Sequence, residues 1–262
     1  MPRPALLTAL LILVVGTGLV FLFLAAPREE SRGGTSTVEH PSFTGYGDDA
    51  GPSWTLRATK GTLEGETGTF EDAEIVLYSR RGDLTAHGKT FTFDGTQGTL
   101  SGDVQVERGD GFRLEGESLT FDEPAGEVRA GPVAIHSRSG TIQAARLRYE
   151  TKTGRSFVSG GFTALVDRPA VHVRGETAEE ADGQLVLEGN LEIEREAESW
   201  RATRVEVDED GGTVTLLGNV EGILPEGQIA ALSLRLDADG AAAASGVHLV
   251  LARSFLRENH GP

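Results

Sequence analysis

Glycine returns through this chain at a fixed interval. Gly102, Gly131, Gly160, Gly189 and Gly218 stand 29 residues apart, and Gly246 follows after 28. Three of them sit in variants of one phrase, Leu-x-Gly-[Asn/Asp]-[Val/Leu]: "GTLSGDVQVE" (98–107), "LVLEGNLEIE" (185–194) and "TVTLLGNVEG" (213–222). A second series, Gly126, Gly154, Gly183, Gly211 and Gly240, recurs at 28 or 29 residues and marks turns. Self-similarity at such a period means one supersecondary unit, copied and stacked on its neighbours.

The unit is clearest in "FRLEGESLTFDEPAGEVRAGPVAIHSRSG" (112–140). Phe112 and Leu114 alternate with polar residues, and Leu119 and Phe121 do so on the opposite parity. Val128 and Ala130 likewise give way to Val133 and Ile135. Side chains change face at every residue of a strand, so a parity switch requires a bulge or a sharp bend. Glycine tolerates that geometry, and Pro132 cannot donate to a continuous ladder there. Each repeat therefore predicts a hairpin of two long strands, each creased near its middle. Segments 84–94, 142–150 and 200–208 match the first creased strand. Asp94, Asp122, Asp208 and Asp237 close strands before turns, where Asp bonds the local backbone. The stretch "GETAEEADGQ" (175–184) carries glutamate where the other copies are apolar, which predicts a distorted or partly exposed strand. Stacked creased hairpins form two facing antiparallel sheets around an apolar trough. A parallel β-helix and a closed up-and-down barrel are the alternatives.

Ahead of the repeats, Leu6–Ala26 is an uncharged run of 21 residues. At about 1.5 Å per residue it spans a hydrocarbon core of roughly 30 Å. A cleaved signal peptide is the competing reading. The length of the run, Leu24 where a small residue is needed, and Pro27 beside the cut favour a retained anchor. Residues 27–42 read as a polar tether. The absence of cysteine removes disulfides, thiolate metal sites and a lipoprotein anchor. A net charge of −16 argues against nucleic acid. No G-x-S-x-G elbow or phosphate loop appears, and the six histidines form no H-x-H or H-x-x-x-H pair. The expectation is a non-enzyme without cofactor or metal. Glycoside hydrolysis by a carboxylate pair stays open, because its geometry is spatial.

Charge is segregated along the chain. Residues 128–174 hold eight Arg or Lys against two carboxylates, and 175–221 hold fourteen carboxylates against three Arg. Cross-strand pairing between repeats is the plain reading. The functional one is a basic stripe, including Arg129, Arg138, Arg146 and Arg148, that meets phosphates or an acidic partner.

The apolar run, the tether, the opening "GPSWTLRATKGTL" and repeats such as "GDVQVERGDGFRLEGESLTFDEPAGEVRAGPVAIHSRSG" resemble the LptC family of lipopolysaccharide-export proteins and its soluble OstA/LptA-type relatives. "LLGNVEG" and "LEGNLEIE" are similar to the L-x-G-N-V phrase of that superfamily. The resemblance implies an all-β fold: a V-shaped, elongated antiparallel β-jellyroll behind an N-terminal transmembrane helix. It divides the chain into an anchor (1–26), a tether (27–42), an LptC-like jellyroll (43–174), additional LptA-like repeats (175–253) and a tail (254–262). It implies a single-pass inner-membrane protein with its β domain in the periplasm. That protein would pass lipopolysaccharide from an ABC transporter at its N-terminal edge to a soluble LptA-like bridge at its C-terminal edge. The inward-parity residues Leu114, Leu119, Phe121, Val133, Ile135, Leu147 and Tyr149 are the expected lipid groove. An anchored structural or adhesive repeat protein without cargo is the alternative.

Overall fold

The computed structural model describes residues 34–251, apart from 47–51, 79–82, 110, 123, 139, 151–152, 168–169, 209–210, 226 and 238–240. The expected anchor, residues 27–33 of the tether and the tail lie outside the described residues. Among the described residues no helix is long and apolar enough to cross a membrane.

The described chain is all-β. Its strands run β1 (Thr35–Glu39), β2 (Ser42–Tyr46), β3 (Pro52–Arg57), β4 (Lys60–Glu64), β5 (Thr67–Leu77), β6 (Leu84–Phe93) and β7 (Gln97–Arg108). They continue as β8 (Phe112–Asp122), β9 (Glu127–Ala130), β10 (Val133–Ser137), β11 (Gly140–Glu150), β12 (Ser156–Asp167), β13 (Ala170–Gly175) and β14 (Thr177–Ala181). The last are β15 (Gln184–Arg195), β16 (Glu198–Asp208), β17 (Thr213–Leu224), β18 (Gly227–Leu236), β19 (Ala242–Ser245) and β20 (His248–Leu251). Two compact units result. Among the described residues the N-proximal unit holds 34–138 and 145–156, and the C-proximal unit holds 139–144 and 157–251.

Within each unit consecutive long strands pair antiparallel, as β7 with β8 and β16 with β17, which excludes a parallel β-helix. The pairing breaks register near mid-strand. The shift falls between His87 and Thr90 in β6, Ser101 and Val104 in β7, Glu188 and Leu191 in β15, and Leu217 and Val220 in β17. These are the creases. Across that of β8 the parity switch keeps Phe112, Leu114, Leu119 and Phe121 all buried.

The recurring phrase has a backbone cause. At Gly102-Asp103, Gly189-Asn190 and Gly218-Asn219 both residues are left-handed, with φ of 79° and 51°, 85° and 44°, and 70° and 52°. Asn and Asp are the non-glycine residues that tolerate this region best, which accounts for the residue after the glycine. Gly131 obeys the same spacing for a different reason. It joins Pro132 by a cis peptide between β9 and β10, and a Cβ there would lie 2.4 Å from the carbonyl oxygen of Ala145. Backbone approaches backbone too closely for a side chain.

The aspartates before turns act locally. The Asp94 Oδ1 accepts from the backbone N–H of Gln97 at 2.7 Å and of Thr96 at 3.1 Å, which holds its carboxyl below the ordinary range. Asp122 accepts from Ala125 N–H, and Asp208 from Gly211 N–H.

Two expectations need correction. Residues 35–39, assigned to the tether, form β1, which pairs with β4 from Thr35↔Glu64 to Glu39↔Lys60. Thr35, Thr37 and Val38 are β-branched and suit a pleated edge. The 175–184 stretch is partly exposed, as expected, but its distortion is confined to a bend at Glu176: β14 pairs with β15 in unbroken register from Thr177 to Ala181, up to the turn at 182–183. Ladder hydrogen bonds are made by the backbone, so the glutamates do not distort the strand.

Candidate functional site: the creased apolar interior

In the N-proximal unit the register aligns inward side chains into rows. One runs Phe43, Leu56, Ile75, Ala86, Val106, Leu114 and Ile135 across paired strands. Beyond the crease a second runs Val38, Gly61, Phe70, Phe91, Leu100, Leu119, Ala130 and Leu147. A third includes Phe121, Val128 and Tyr149. All seven expected groove residues are buried: Leu114, Ile135 and neighbouring Val133 on one side of the crease, Leu119, Leu147, Phe121 and Tyr149 on the other. Fully burying such a side chain is worth about 1.5–3 kcal/mol. The rows end in the open at β1 and β2, where Val38 is 40% and Phe43 37% exposed. Phe43 still meets Phe70 edge-on at 5.7 Å.

The C-proximal unit repeats the pattern and grades it. One row runs Ala164, Val173, Ile193, Trp200, Gly222, Ile229 and Leu249. Another runs Glu180, Leu185, Val207, Val214, Leu236 and Ala242. Both begin fully buried and end exposed: Val214, Ile193 and Trp200 are half-buried, Leu236 is 39% exposed and Leu249 53%, whereas the row of Leu187, Val205, Leu216 and Leu234 stays buried. Trp200 lies over Gly222, whose absent side chain would sit 2.4 Å from the indole, and Trp54 covers Gly45 in the same way. These open ends were not legible as such, although Leu249 and Ile229 keep the inward parity.

The four expected headgroup arginines lie exposed on the outer face. Arg129 and Arg148 face each other in register. Glu127 bridges both, at 2.5 Å and 3.7 Å, and Glu150 takes Arg148 at 3.5 Å. In the acidic segment Arg204 joins Glu188 and Glu206, and Arg201 joins Glu192. These charges pair within a strand or with the adjacent one, each pair being worth only a few tenths of a kcal/mol.

One inward residue breaks the pattern. Glu180 is 4% exposed and is, among the described residues, the only acidic or basic side chain that is buried. It stands one residue before the end of β14, where the corresponding positions carry Phe121, Tyr149 and Val207. Burial foremost, then the Asp182 carboxylate, pushes its carboxyl up; the backbone N–H of Gly183 opposes this. Outside the crease, a notch of about 310 Å³ is lined by Asp72, His87, Lys89, Asp103 and Gln105, with Lys89 and Asp103 joined at 2.5 Å. Among the described residues no cluster of His, Asp or Glu could hold a metal ion.

No protein-family model matches the chain, and no curated protein does. Among solved structures, it aligns with LptH from Pseudomonas aeruginosa, described as the LptA-homologous periplasmic component of the lipopolysaccharide transport device. The match covers 66% of this chain and 97% of that one, at 10% identity and a TM-score of 0.19. A likeness at that score establishes neither fold nor function.

Proposed function

We propose that this protein is a non-catalytic, membrane-anchored carrier of acyl-chain lipid, a member of the Lpt β-jellyroll superfamily with LptC-type anchoring. In this reading residues 6–26 hold it in the inner membrane and the β units stand in the periplasm. Lipopolysaccharide or a related lipid reaches it from an ABC transporter and leaves towards an LptA-like partner. The observation that carries the reading is the opening of two apolar rows of the C-proximal unit, which run from buried strands to exposed Leu236 and Leu249. Exposed apolar side chains aligned in one row mark a surface for a ligand or partner. Unpaired strand edges invite pairing with another chain, and that pairing would join interiors end to end. Cargo enters by burying methylenes at about 0.8 kcal/mol each, so no covalent step is needed.

The second reading, a structural repeat protein without cargo, is favoured by the near-complete burial of Leu114, Phe121 and Ile135. Site-specific photo-crosslinking during export separates the two. Crosslinkers replacing Leu119 or Leu236 capture lipid, while those replacing outward Thr120 or Arg235 do not. Equal capture at inward and outward positions would sink the carrier reading.

A further inference from the structure

We infer that Glu180 is a recognition point inside the interior, taking the hydrogen-bond donor of a lipid, an amide N–H, hydroxyl or ammonium, rather than a phosphate. The inference rests on the carrier reading above. Its ground is where the carboxyl sits. Glu180 points inward from β14 at a position whose cross-strand neighbours in the row are Leu185, Val207 and Val214. A side chain that carries charge is kept out of such surroundings unless something compensates it. The one compensation is the backbone N–H of Gly183, from the turn that follows. That leaves acceptor capacity on the carboxyl for water or for a ligand that displaces it.

The surroundings decide the sign of what can be taken. Asp182 adds a second carboxylate beside the site, and residues 175–221 carry fourteen carboxylates against three arginines. Arg201 and Arg204 are engaged by Glu192, Glu188 and Glu206. A phosphate placed here would meet like charge, whereas a neutral or cationic donor would meet an acceptor in a low-dielectric site, where hydrogen bonds are strongest. From Glu180 to Leu236 the row crosses four interstrand spacings, about 19 Å, of apolar side chains, buried at Leu185 and Val207 and opening at Val214 and Leu236, which an acyl chain would part to lie along. The geometry therefore sets the donor group of the cargo at Glu180 and its chain towards the open end.

The test uses the full-length protein in nanodiscs and three diazirine-bearing myristoyl-length probes that end in an ethanolamide, an ammonium or a phosphate. The readout is adduct formation on peptides of β14–β18 as a function of probe concentration. The ethanolamide and ammonium probes should label at roughly tenfold lower concentration than the phosphate, a difference of about 1.4 kcal/mol. Glu180→Leu should erase that preference while phosphate labelling stays or improves. Glu180→Gln, which keeps an acceptor and loses the charge, should retain the ethanolamide and lose the advantage of the ammonium. Equal labelling of the wild type by all three probes, or an unchanged ratio in Glu180→Leu, overturns the role of Glu180 while leaving the carrier reading intact. Absence of labelling by any probe in a folded protein overturns the carrier reading, and this inference with it.

Discussion

Gly131→Ala unfolds in urea with about 2–4 kcal/mol less stability than the wild type, while Gly65→Ala loses only about 1 kcal/mol. Both glycines belong to the N-proximal unit, so one transition reads both. Gly65 has φ of 60° and open space around the position of a Cβ, so its cost is the left-handed backbone alone. Gly131 would set a methyl 2.4 Å from the Ala145 carbonyl oxygen and 3.0 Å from the Arg146 Cα. Neither can rotate away, because both are main chain, and β9 must part from β11 to make room. Overpacking of this kind costs more than strain confined to one residue. Equal losses at the two positions would show that close approach to Ala145 is not what requires glycine at position 131.

Glu180→Leu stabilises the C-proximal unit by about 1–3 kcal/mol near neutral pH, and the gain disappears in acid. The wild-type carboxyl is raised above its ordinary value of 4.5 by burial and by Asp182. Between the unfolded and folded values the folded chain therefore holds the proton more tightly, and stability falls as the pH rises through that window. Below the window the carboxyl is neutral in both states and the penalty vanishes. Leucine carries no such term and matches Leu185 beside it. Thermal melts of both proteins at pH 4 and pH 7.5 check this. A variant that is less stable at both values would mean that the carboxyl is a needed structural partner.

The crease was legible because two independent signals coincide, a glycine at fixed spacing and a parity switch around it. Leu114 and Phe121 could be placed inward on opposite parities from that alone, and both are buried. The role of Asn190 and Asn219 was written in the same phrase, since Asn after Gly is the residue best able to follow it into the left-handed region. Gly131 shares the spacing but owes it to the approach of Ala145, a relation between distant residues that no local pattern records. For β14 the side chains pointed the wrong way: glutamates suggested a damaged strand, while the backbone ladder is indifferent to them. The alternation of Ala178 with Glu180 already implied that one carboxyl faces inward. The open ends at Phe43 and Leu249 depend on what lies beyond the last strand, which hydrophobic alternation cannot say.

The central claim is that the apolar interior carries lipid. Full-length protein extracted gently from its membrane should release an acyl-chain lipid in near-stoichiometric amount when denatured and analysed by mass spectrometry. Substituting Leu236 and Leu249 together with Asp should deplete that lipid several-fold without loss of the folded state. Wild-type protein that is folded and free of bound lipid, with melting unchanged by delipidation, would contradict the account.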